Sequence, residues 1–86
     1  MARTIPAAER VKRARALIVQ ARELPVPTLS GWEYFSYVAQ VKDLLRQARE
    51  LIKLIPFSPS ASEALKKDVA NVFEEIEQAE KEILSK

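Results

Sequence analysis

The sequence predicts an all-α domain, an up-down-up antiparallel three-helix bundle, and three observations carry that prediction. The five prolines, Pro6, Pro25, Pro27, Pro56 and Pro59, divide the chain, with the single glycine Gly31, into three long proline-free stretches. Each stretch repeats apolar residues every three or four positions, the period of a helix that buries one face. Two of the three open on a Ser-x-x-Glu sequence, in which a serine hydroxyl and a glutamate satisfy the free backbone donors of a first helical turn.

Helix 1 is expected over about residues 5–24. Ala7, Val11, Ala14, Ile18 and Ala21 step by four, three, four and three, with Leu17 and Leu24 widening the stripe. Thr4 is the expected N-cap, and Pro6 is tolerated in a first turn because its missing N–H would be unpaired there anyway. Pro25-Val26-Pro27 then enforces extended backbone, since each proline removes a donor and pushes its predecessor away from the α region.

Helix 2 is expected over about residues 31–55, with Ser30 as N-cap, Glu33 closing the capping box, and Leu29 stapled to Tyr34. Its apolar face reads Tyr34, Val38, Val41, Leu45, Ala48, Ile52 and Ile55, flanked by Tyr37, Leu44 and Leu51. That breadth implies contact with two neighbours and marks helix 2 as the central one. Helix 3 is expected over about residues 60–84, opened by Ser60-Ala61-Ser62-Glu63 and carried by Leu65, Val69, Val72, Ile76, Ala79 and Ile83. All 86 residues read as one helical domain, and helices of about 20 to 24 residues are matched at some 30 to 36 Å, so short connections make sequential neighbours antiparallel.

Composition removes several chemistries. The chain has no His and no Cys, so the usual general base near neutral pH, the commonest metal ligand, thiol nucleophiles and zinc or iron–sulfur sites are absent. No cofactor is expected. A chain of this length holds one thin core with little room for an internal catalytic cavity, so it is expected to be non-enzymatic, its working part a surface or groove. Five glutamates of helix 3, Glu74, Glu75, Glu77, Glu80 and Glu82, point several ways around that helix and read as a solvated acidic face. The serines have no base of suitable type and read as caps and turn residues. The longest aliphatic run, Ala16 to Val19, is four residues against the roughly 20 of a membrane span, and a cytoplasmic location is expected. Few amides, no Cys and plentiful Glu, Lys and Arg suit a thermophile protein or an engineered bundle.

Charge is uneven along the chain. Residues 1–24 are net +4, residues 30–55 net +1 and residues 60–86 net −3. Six basic residues against two acidic ones in the first 24 also suit a cleaved transit peptide, but the segment's own apolar heptad assigns it to the bundle. Helices 1 and 3 are therefore expected side by side, their opposite charges pairing at the edges.

The sharpest surface feature is Lys42, Arg46, Arg49 and Lys53, spaced by four, three and four, which at about 100° per residue fall within an arc of about 60°. They are expected opposite the apolar face, relieved only by Arg46 with Glu50. Such a stripe fits a partner's carboxylates or a phosphate backbone, or is simply a solvated face. Arg10, Lys12, Arg13, Arg15 and Arg22 scatter around helix 1 and build no such ridge. Trp32 and Phe35, at the start of helix 2, are expected to cover the Leu24–Leu29 loop, the alternative being an anchor for a partner. The functional expectation is an accessory subunit or interaction module that binds a protein through Lys42, Arg46, Arg49, Lys53, Phe35 and Trp32. Nucleic-acid backbone binding through the same stripe is the alternative, and homodimerisation would supplement a thin core.

Overall fold

A computed structural model describes residues 6–28 and 31–84, and it is an up-down-up bundle of three helices: α1 (Ala7–Glu23), α2 (Trp32–Ile52) and α3 (Glu63–Leu84), with a 3-10 turn at Ile55–Phe57 between the last two. The described residues contain no strand, and no helix among them is long and apolar enough to cross a membrane. The core is aliphatic with one tyrosine. Helix α1 contributes Val11, Ala14, Ile18 and Ala21, and α3 contributes Val69, Val72, Ile76 and Ala79. Helix α2 contributes Tyr37, Val41, Leu45, Ala48 and Ile52, and Ile55 of the 3-10 turn completes the set. No polar or charged side chain among the described residues is buried, so the core makes no directional demand beyond packing.

Helix 2, expected over residues 31–55, packs against both neighbours, and so does α1, so neither is singled out as central. Helices α1 and α2 pair most extensively, and α3 packs on both, against α1 on one side and against α2 with the Ile55–Phe57 turn on the other. Ala14 and Ala21 of α1, Ala48 of α2 and Ala79 of α3 are all fully buried, small residues that let the helix backbones approach closely.

The helix ends differ from the sequence expectation in instructive ways. Thr4, Leu29 and Ser30 lie outside the described residues. Helix α1 begins at Ala7, with the Pro6 carbonyl accepting from the Arg10 N–H at 3.0 Å, and it stops at Glu23 because Leu24, preceding a proline, is extended. Gly31 is the residue before α2, where a capping box anchored on Ser30 would have made it the first helical residue. Its φ of 87° explains the shift, since that backbone region strongly favours glycine.

Helix α2 ends at Ile52, three residues short of the expected Ile55. Pro56 has no N–H for the Ile52 carbonyl and its ring would collide with that group, so the chain tightens into the 3-10 turn instead of continuing the helix. Ile55 is buried regardless. Helix α3 starts at Glu63, with Ser62 in the capping role expected of Ser60. The Ser62 hydroxyl accepts from the Leu65 N–H at 3.1 Å, and its carbonyl accepts from the Lys66 N–H at 3.0 Å. Ser60 is occupied by a turn in which the Ala61 N–H donates to the Ser58 carbonyl at 3.1 Å, with Pro59 at the second position that proline favours.

Candidate protein-binding surface

Opposite charges pair where α1 runs beside α3. Arg15 reaches Glu75 at 3.3 Å and Asp68 at 4.0 Å, and Arg22 reaches Glu82 at 2.7 Å. Both residue numbers rise together along this interface, as parallel first and third helices require. These pairs are solvent-exposed, and exposed pairs contribute only about 0.2 to 1 kcal/mol each.

The four cations of α2 do lie along one line, but on its flank. The stripe's mean direction is about 100° from that of Val41, Leu45, Ala48 and Ile52, so Arg49 is half-buried and the true outer ridge carries Asp43 and Glu50. These acids relieve the stripe more than expected. Arg46 donates to Asp43 at 2.6 Å, and Lys53 pairs with Glu50 at 2.8 Å, each acid three residues before its base. Gln47 adds a second bond to Asp43 at 2.8 Å. The hydrogen bond from Arg46, then that from Gln47, holds the Asp43 carboxyl below its ordinary 3.8. The bond from Lys53 does the same for Glu50, below its ordinary 4.5. Lys42 and Arg49 make no ion pair among the described residues.

The aromatic expectation is overturned. Trp32 is 84% exposed and Phe35 71%; Trp32 borders a shallow cavity with Pro25, Val26 and Pro27 but leaves Val26 in solvent, and Phe35 lies away from it. The loop is held by Leu24, which packs on the core. Of the neighbouring tyrosines, Tyr37 is buried and Tyr34 is at the rim, their rings 6.2 Å apart and tilted by 39°. Trp32 and Phe35 therefore lead into the basic stripe, and Phe35 and Lys53 are about 27 Å apart along the helix. At the opposite end of the bundle Leu54 and Phe57 are also exposed.

The structure adds a feature absent from the sequence expectation. Between α1 and α2 lies an open groove of about 760 Å³, with half-buried Leu17 and Leu51 at its base, exposed Ala16 beside them, and Arg10, Arg13, Arg46 and Glu50 along its rim. The basic residues of α1 thus sort onto two sides: Arg15 and Arg22 toward α3, Arg10 and Arg13 toward this groove. The signal in the sequence is the spacing of Arg10, Arg13 and Leu17 on one face, which acquires meaning only when α2 is placed beside it.

Comparison with family models, with curated proteins and with solved structures finds no match to this chain.

Proposed function

We propose that this chain is a non-enzymatic interaction module, an accessory subunit that binds a protein partner along the outer flank of α2. The observation that carries the reading is the exposure of Trp32 and Phe35 at one end of a cationic stripe. Two large rings in solvent gain the most from burial against another molecule, and Trp, Tyr and Arg are the residue types that dominate binding energy at interfaces. Lys42 and Arg49 supply charge that a partner's carboxylates complement. The pairing of Arg46 and Lys53 with Asp43 and Glu50 lowers the stripe's net charge from +4 to +2, which favours a protein over a phosphate backbone.

The test is quantitative capture from a source-cell extract by the immobilised chain, compared with W32S/F35S and with R46E/R49E at low and high salt. The reading expects the same protein to be enriched by the wild type and lost from both variants. Equal capture by all three refutes it. Recovery of nucleic acid instead, with affinity falling steeply with salt, replaces it by the phosphate-binding alternative.

A further inference from the structure

We infer that the groove between α1 and α2 is the seat of an acidic amphipathic helix supplied by the partner, which would dock as a fourth helix of the bundle. The inference rests on the reading of this chain as a protein-binding module and names the partner's chemistry and its place.

The groove is apolar at its base, where Leu17 and Leu51 are half-buried, and mainly cationic at its edges, with Arg10 and Arg13 on one side and Arg46 on the other beside Glu50, whose charge Lys53 offsets at 2.8 Å. From Arg10 to Gln20 it runs about 15 Å, close to three helical turns. An occupant that covers Leu17 and Leu51 with apolar side chains at i, i+3 or i+4, and i+7, and sets carboxylates toward Arg10 and Arg13 on one shoulder and toward Arg46, clear of Glu50, on the other, complements the groove.

The molecule already holds one acidic helix in this way. Helix α3 lays its apolar face on the pair formed by α1 and α2 and sets Glu75 and Glu82 against Arg15 and Arg22. On the wheel of α1, Arg13 and Leu17 are roughly opposite Arg15 and Arg22, so the groove offers a similar arrangement of apolar floor and arginine rim on the other side.

Other occupants fit less well. A small anionic ligand needs most of its surface enclosed, and the groove is open along its length with Ala16, Arg13 and Arg46 exposed. An extended peptide would leave its backbone groups unpaired over Leu17 and Leu51, since no sheet edge is there to receive them. Nucleic acid has no aromatic ring to stack on in this groove. A second intact copy cannot supply α3, whose apolar face is buried in its own bundle. The existing pairs of Arg13 with Glu9 at 3.9 Å and Arg46 with Asp43 are exposed and weak enough for a partner's carboxylates to displace, and Arg10 makes no ion pair among the described residues.

The test is amide NMR of the full chain with three probes: an 18-residue peptide with leucines on one helical face and glutamates on both shoulders, the same peptide with lysines for glutamates, and a short DNA duplex. The expected result is that the acidic peptide shifts amides of residues 10–20 and 46–51. R10E/R13E should weaken it about tenfold, and K12E, on α1 outside the groove, should leave it unchanged. Retained affinity in R10E/R13E, or equal binding of the lysine peptide, overturns the inference. Shifts confined to Trp32 and Phe35 overturn it while leaving the module reading intact. Silence at both surfaces overturns the inference, while the module reading stands or falls with the capture experiment. Shifts of the groove by the duplex, or on concentrating the chain alone, assign the groove to phosphate or to self-association instead.

Discussion

Replacing both exposed aromatics with serine, W32S/F35S, should leave the fold standing and remove the binding. Trp32 keeps only about a sixth of its surface against the rest of the chain. A tryptophan side chain presents at most about 250 Å², so truncation forfeits roughly 40 Å² of burial, or about 1 kcal/mol at about 25 cal/mol per Å². Phe35 keeps nearly three-tenths of a side chain that presents about 200 Å², roughly 60 Å² or about 1.5 kcal/mol, and both figures are upper bounds because the unfolded chain already shields some of this surface. The expected loss on urea unfolding is therefore below about 2.5 kcal/mol for the pair together, with the slope of the transition unchanged. In capture experiments the same variant should lose its partner. A loss of about 4 kcal/mol or more, well above the range of ordinary surface substitutions, would refute the reasoning. So would a midpoint that depends on protein concentration in the wild type and not in the variant. Either result would mean that the rings are buried in the molecule as it exists in solution.

Truncating the core should act in the opposite sense: Ile76→Ala, at a fully buried α3 position, is expected to cost about 2 to 5 kcal/mol in the same unfolding assay. Ser62→Ala should lose about 1 kcal/mol with the hydrogen bond to the Leu65 N–H, while Ser60→Ala, whose hydroxyl meets only that of Ser58 at 3.0 Å, should fall within about 0.5 kcal/mol of wild type. The lowered carboxyls of Asp43 and Glu50 make the folded state bind protons less readily than the unfolded one. Their contribution is present in full above the ordinary values of 3.8 and 4.5 and is lost as pH falls through the lower folded values. Carboxyl NMR titration should show both midpoints depressed, with R46Q raising that of Asp43 and K53Q raising that of Glu50.

The phases of the three helices are legible in the sequence because burial leaves its period there. Val11, Ala14, Ile18 and Ala21 read as the buried face of α1 and are that face. Helix ends are less legible because neighbouring turn chemistry competes with a cap. Ser60 has the right glutamate three residues on, yet it follows Pro59, which initiates a turn, and the cap passes to Ser62. The acid partners of the stripe sit at a readable spacing of three residues, although the spacing of four between Arg46 and Glu50 is the more familiar helical pairing. The groove is of another kind. Arg10 and Arg15 are both arginines of one helix, and only the placement of α2 and α3 around it sends one to a cavity rim and the other to a salt bridge. Exposure of Trp32 and Phe35 is equally hidden, because the sequence does not show how the proline loop and the start of α2 are set against each other.

The ion pairs between α1 and α3 join residues sixty positions apart, Arg15 with Glu75, and so bear on the order in which the chain assembles. Closing a loop of that length costs more entropy than closing the short connection between α1 and α2, although the penalty grows only with the logarithm of length. The hairpin of the first two helices is thus favoured to form early, with α3 arriving last. At that step a segment of net −3 approaches one of net +4, and their attraction acts across the last Debye length, about 8 to 10 Å at physiological salt, before any apolar contact exists. Added salt should therefore slow folding more than it speeds unfolding, a kinetic signature carried by pairs that contribute little to the stability of the finished bundle.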